Sequence, residues 1–220
     1  MSAMRKAIWK RKILVLLASF LCLGQAHCAS FAAPRMGGEK EVVETFIATV
    51  SRPDTQAKSK NSFNDAAQSM DFEEMARRSF GESEWTKFTA EEQKEVTVLF
   101  RRLMQVRFYP RWRRVFQNGH YQVTAVTRHG DDSLVSGKLN SQNKYSDLSF
   151  RLIKRHDGFK LISMAVKDKD LLERTSVRLK RGLKNRGAKG LIAHLKKKTA
   201  EISPDSSDKA ALEELISGGK

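Results

Sequence analysis

Cysteine is almost missing from this chain: of 220 residues only Cys22 and Cys28 are cysteines, and both precede residue 34. Beyond them there is no thiol, which excludes disulfides, thiolate catalysis and cysteine-ligated metals and leaves stability to the hydrophobic core. Four prolines and 13 glycines are too few for a collagen-like or proline-rich chain, and there is no low-complexity tract or internal repeat. Acid is short as well: 25 Asp and Glu face 41 Lys and Arg, a formal net charge of +16. That balance excludes an acidic-tail protein and favours anionic partners, nucleic acid and anionic lipid among them.

Catalytic patterns are lacking too. Beyond residue 33 the histidines are His120, His129, His156 and His194, with no His-x-x-x-His or Glu-x-x-His spacing, so each reads as a loop or helix-surface side chain and no metal site is expected. There is no Gly-x-Ser-x-Gly and no phosphate-cradling glycine loop. The acidic pairs Glu73-Glu74, Glu91-Glu92 and Asp131-Asp132 fall at predicted helix starts or in a turn, where the helix dipole and solvation account for them. The expectation is a protein that is not an enzyme and holds no cofactor.

What is present begins with an address. Arg5, Lys6, Lys10, Arg11 and Lys12 precede an 11-residue apolar run, Ile13 to Leu23, the layout of a signal peptide over residues 1–33. Cleavage fits after Ala26-His27-Cys28 or after Ser30-Phe31-Ala32. A membrane anchor is the rival reading, but the run is shorter than the roughly 20 residues that span a bilayer. With the five leader cations removed the formal charge falls from +16 to +11.

Helical spacing opens the remaining chain, 34–202, with Val42, Val43, Phe46, Ile47 and Val50. Ser51 to Asn61 reads as a loop. Two short helices follow, broken near Asp71, the second ended by Gly81. Thr89-Ala90-Glu91-Glu92 is a capping box that starts a long helix striped by Val96, Leu99, Phe100, Leu103 and Val106, which Pro110 should end or kink. From Tyr121 the period changes to two, giving four antiparallel strands, with Asp157-Gly158 as a hairpin signal. Leu171 to Leu183 restores the helical period, Gly187 interrupts it, and Leu191, Ile192 and Leu195 begin a last helix. Residues 203–220 read as a peripheral tail. The class is α+β, one sheet with helices over a face that encloses a cavity.

Seven arginines and no acid lie between Arg101 and Arg128, and ten Lys or Arg against Glu173 alone from Leu171 to Ala200. One reading is therefore a basic exported binding module for nucleic acid or envelope polyanions, with Phe108, Tyr109 and Trp112 as a stacking platform. The other packs those aromatics in the core, and export argues against a nucleic-acid partner. Lipid is the anion that also accounts for the apolar positions. Two acyl chains carry about thirty methylenes, and at roughly 0.8 kcal/mol each their exposure to water would cost over ~20 kcal/mol, so a carrier must enclose them.

Asp71-Phe72-Glu73-Glu74-Met75-Ala76, Gly81, Trp85, Thr89, Gln93, Phe100 and Leu103 stand in an order and spacing similar to the MlaC family, and so do Phe159-Lys160-Leu161, Leu171-Leu172, Gly187-Ala188-Lys189-Gly190-Leu191-Ile192 and Leu195. The resemblance spans roughly residues 40–202. It implies a periplasmic phospholipid carrier, also known as a toluene-tolerance auxiliary component, working with an inner-membrane ABC transporter that bears a ring of MCE domains. It also implies an outer-membrane lipoprotein–porin complex as a partner, a monomeric state and a diacyl phospholipid as cargo. The implied fold is a four-stranded antiparallel sheet, NTF2-like, with helices around a deep apolar lipid pocket. The chain departs from the family in carrying Asp168-Lys169-Asp170 and Arg174-Thr175-Ser176 after the last strand, and Ser163 where the family has an aspartate.

The expected pocket draws Leu99, Phe100, Leu103 and Phe108 from the long helix. Val123, Leu148, Phe150, Leu161 and Met164 come from the strands, and Leu172, Leu179 and Leu183 from the helix after Leu171. Arg107, Arg111, Arg178 and Arg181 are the expected basic mouth, paired with phosphate or an acidic docking partner.

Overall fold

The computed structural model describes residues 38–53, 59–141 and 144–201. The expected leader and C-terminal tail lie outside the described residues. Helix α1, Glu39–Val50, buries Val43, Phe46 and Val50 on one stripe. Helix α2, Ser59–Gln68, starts within the stretch read as loop, and α3, Phe72–Phe80, follows the break at Asp71. The break is tied to the sheet. Met70 bridges Leu161, Asp71 N donates to Leu161 O at 2.9 Å, and the Asp71 carboxylate caps α3 by accepting from Glu74 N at 2.9 Å. Gly81, at φ 80°, ends the helix in a conformation that a side chain resists.

A single turn, α4 (Glu82–Trp85), leads into α5 (Ala90–Leu103). Its capping box is formed: Thr89 Oγ1 accepts from Glu92 N at 3.2 Å while Glu92 Oε2 accepts from Thr89 N at 3.0 Å. Pro110 does not end this helix. Helix α5 runs through a π-helical turn, Met104–Phe108, into α6 (Tyr109–Gln117), with Pro110 in its first turn. Proline gives no N–H to the carbonyl four residues back and crowds it, and the widened turn accommodates both defects.

Strands β1 (Gly119–His129), β2 (Asp132–Ser141), β3 (Lys144–Arg155) and β4 (Gly158–Val166) form an antiparallel meander. A two-residue β5 (Lys169–Asp170) pairs with β4, so the sheet has five strands in the order β1-β2-β3-β4-β5, where four were expected. The fifth is hard to read because its turn puts Lys167 and Asp168, neither of them glycine, at φ 48° and 63°. The β3–β4 hairpin turns at His156-Asp157, one residue before the Asp157-Gly158 signal; Arg155 pairs with Gly158, which opens β4 at φ 123°.

Helix α7, Leu171–Glu201, is interrupted at Gly187 as its sequence predicts. It packs on α3 and α5, while α1 packs on α2, α6 and the sheet. Strand β4 runs through the middle of this packing, with Leu161, Ile162, Ser163 and Met164 all buried. At the far edge β1 is exposed along most of its length. The fold is therefore α+β, with its core between β3, β4 and the helices.

Candidate functional site

Side chains from α1, α3, α5, the π turn, α6, β3, β4 and the start of α7 leave a narrow slot between them. Its aromatic walls are Phe46, Phe100, Phe108, Trp112 and Phe150, its leucines Leu161, Leu171 and Leu172, and its methionines Met70, Met75, Met104 and Met164. Ser163 and Thr175 are the only hydroxyl-bearing residues among those that line it, and Trp112 is the only other one with a side-chain N–H or O–H. The resemblance implies a deep acyl-chain pocket; the structure shows a narrow slot, little of which is wide enough for a water molecule. A polymethylene chain is wider still and would fit only if the walls parted. Four methionines suit such a wall, because an unbranched thioether with several rotatable bonds repacks around irregular shapes. Met104 and Phe108 both come from the π turn, a helix defect that recurs at functional sites.

Of the twelve expected pocket residues, the slot brings together Phe100, Phe108, Phe150, Leu161, Met164 and Leu172. Leu99, Leu148 and Leu179 are buried elsewhere in the core, Val123 and Leu183 are half-buried against it, and Leu103 is half-buried. Helical and strand periodicity marks a buried face without separating wall from filler, which is why these six do not line the slot. It also misses Phe46, Met70, Met75 and Trp112, which reach the slot from elements read as ordinary core. The expected basic mouth does not form at the slot. Arg107 and Arg111 are half-buried, Arg178 and Arg181 are exposed on α7, and none of them lines it. The cations that border a second, open groove are Arg101, Arg155 and Lys160, and Met70 lines both groove and slot.

The hydroxyls in the slot wall are already engaged. Ser163 Oγ donates to Asp170 Oδ1 at 2.5 Å, and Thr175 Oγ1 to Leu171 O at 2.7 Å. Asp170 also caps α7, accepting from Leu172 N at 2.7 Å and Glu173 N at 3.2 Å, with Arg151 Nη2 3.4 Å from its other oxygen. Where the resemblance sets an aspartate and this chain has Ser163, the carboxylate arrives instead from β5.

Ion pairs brace the frame around the slot. Glu74, read from sequence as a solvated helix-start acid, is buried and accepts from Arg77 Nη2 at 2.7 Å, Arg78 Nε at 2.6 Å and Arg155 Nη2 at 3.1 Å. Burial pushes its carboxyl up, but the hydrogen bonds and charge of Arg77 and Arg78 outweigh that and hold it at about 2. Arg78 reaches on to both oxygens of Asp132, each at 2.7 Å, tying α3 to β2. Glu39 is held at about 2 by the Arg128 guanidinium at 2.5 Å, against the opposing effect of burial and with help from its own backbone amide and Ser133. Among the described residues no group of His, Cys, Asp and Glu is placed to hold a metal ion, and no helix is long and apolar enough to cross a membrane.

Comparison with solved structures finds this fold again. A phospholipid-binding protein from Ralstonia solanacearum, determined in complex with a phospholipid, superposes with a TM-score of 0.63 at 19% identity, over 74% of this chain and 95% of that one. Among curated proteins none matches by sequence. The MlaC protein family is matched by residues 40–197, which covers every described helix and strand but the outermost residues of the first and last. This chain belongs to the MlaC family.

Proposed function

We propose that this chain is a periplasmic phospholipid carrier that encloses the acyl chains of its cargo in the methionine-lined slot. The observation that carries the reading is the slot itself: an apolar space at the meeting of sheet and helices, bounded by four deformable thioethers and a π turn. Family membership and the likeness to a phospholipid-binding protein of the same fold support it. In this reading lipid passes between the outer and inner membranes, with an ABC transporter carrying MCE domains at one end and a lipoprotein–porin complex at the other. The leader at residues 1–33 supplies the export that such a role needs.

The alternative of a basic binding module loses its stacking platform, because Tyr109 and Trp112 are buried and offer no face to a base. Within the Arg101–Arg128 cluster two of the arginines are also engaged inside the fold, Arg113 by Val50 O and Ser62 Oγ and Arg128 by Glu39. Solvent extraction and mass spectrometry of the purified protein test the proposal. A stoichiometric phospholipid, or its uptake from vesicles, is expected; a protein that carries none and takes up none is not a lipid carrier.

A further inference from the structure

Among the described residues one buried side-chain polar atom has no hydrogen-bond partner, the indole Nε1 of Trp112, a residue of the slot wall. Trp112 is 2% exposed, so bulk water does not serve it. An indole N–H only donates, and a buried donor left unpaired is rare enough in folded proteins that each case asks for a reason. The other wall hydroxyls, on Ser163 and Thr175, donate to Asp170 and to the Leu171 carbonyl, so Trp112 holds the one uncommitted donor. Its ring is fixed as well. Phe46 meets it edge-on at 5.6 Å between centroids, Tyr109 lies at 5.5 Å and Phe108 at 6.0 Å, which leaves the indole little freedom to turn toward an acceptor elsewhere.

We propose that the Trp112 N–H is the slot's polar anchor for cargo and donates to a carbonyl oxygen of a fatty ester. This rests on the lipid-carrier reading and adds to it a determinant of which lipid linkage is held. The chemistry of the wall selects the acceptor. A phosphate or carboxylate drawn into walls of phenyl rings and thioethers would lose its hydration without a cation lining the slot to replace it, whereas an ester carbonyl accepts one hydrogen bond and carries no net charge. In a diacyl phospholipid the ester carbonyls stand where the tails begin. Anchoring one at Trp112 fixes how deep the tails lie. A chain-matched ether lipid offers the same tails and headgroup and no carbonyl.

The test uses the purified full chain with ¹⁵N-labelled tryptophan and two probes, vesicles of a diester phospholipid and vesicles of the diether lipid with the same headgroup and chain lengths. Loading with the diester is expected to move the Trp112 indole proton resonance downfield, the resonance being identified by its loss in Trp112→Phe, and loading with the diether is not. Wild-type protein is expected to take up the diester about fivefold better, the scale of one net hydrogen bond, and Trp112→Phe to remove the preference. Should Trp112→Phe not fold, the comparison of the two lipids on the wild-type chain stands by itself. Equal uptake of diester and diether overturns the assignment, as does a Trp112 resonance that stays fixed on loading or moves alike with both lipids, the sign of a water or a headgroup as acceptor. In those outcomes lipid still binds and the carrier reading survives. Uptake of neither lipid overturns the carrier reading and the anchor with it.

Discussion

The buried phenol of Tyr109 donates its hydrogen bond to a thioether: its hydroxyl lies 3.0 Å from the Sδ of Met70. Sulfur is a weak acceptor, so this bond secures the phenol lightly, and its partner is the residue that lines both the slot and the open groove beside it. Met70 is also the point where the chain between α2 and α3 bridges Leu161 in β4. The wall of the slot is thus pinned by its backbone and adaptable in its side chain. Met70→Leu keeps the volume and removes the acceptor, which is expected to cost about 1–3 kcal/mol in urea denaturation of the lipid-free protein. Adding Tyr109→Phe should recover most of that loss, and a double mutant no more stable than Met70→Leu would show that the cost lies in packing.

The carboxylates of Glu74 and Glu39 set the acid limit of the fold. Both are held at about 2 in the folded protein, against about 4.3 for an unfolded glutamate. A lowered folded-state pKa means that the unfolded chain takes up protons first, so the stabilisation is complete above the unfolded value and drains away as pH falls from about 5 toward 2. Glu74→Gln is expected to destabilise the protein at pH 7, by about 1–3 kcal/mol as three arginines lose a charged acceptor. It should also flatten the decline of stability between pH 5 and pH 2. An acid limb as steep as that of the wild type would assign the loss to other groups.

Much of the fold is legible because local chemistry and tertiary position agree. The Thr89–Glu92 box starts α5, the strand alternation survives in β2 as Ser133, Val135, Gly137 and Leu139 facing inward, and Gly187 breaks α7. What is not legible depends on partners distant in sequence. Glu74 looks like any acid in a first helical turn until Arg155, 81 residues on, turns toward it. Asp170 becomes the cap of α7 only because a glycine-free turn at Lys167-Asp168 folds it back onto β4. The slot is half legible for the same reason. Phe100, Leu161 and Met164 lie on stripes that periodicity reveals, whereas Met70 reaches the slot from a break between helices and Trp112 from beyond a π turn, where Pro110 signals an irregularity without its form.

Gly187 tests how firmly α7 is held. At φ 66° and ψ 178° it occupies a region that side-chain-bearing residues avoid, and a Cβ built there meets nothing within 4 Å. Any cost of Gly187→Ala is therefore backbone strain rather than a clash. It is expected to be about 1–3 kcal/mol by chemical denaturation with little change in helix content. A neutral substitution would mean that the two halves of α7 readily adopt another angle.

Two tryptophan substitutions separate the slot from the rest of the core. Met164 is buried on β4 and lines the slot, whereas Val123 is half-buried on β1 and does not, although periodicity places both on the apolar side of the sheet. Met164→Trp puts a rigid bicycle where a thioether could move aside, so lipid recovered with the folded protein should fall to a small fraction of the wild-type amount. Val123→Trp adds similar bulk away from the slot and should leave loading unchanged. Overpacking costs about 1–3 kcal/mol at either position, so loading is compared per folded molecule after size-exclusion chromatography and circular dichroism. The contrast matters more than either result alone, since strain acts at both sites and obstruction at one. Equal loading in the two variants would mean that the acyl chains lie somewhere other than between α1, α3, the π turn and β4.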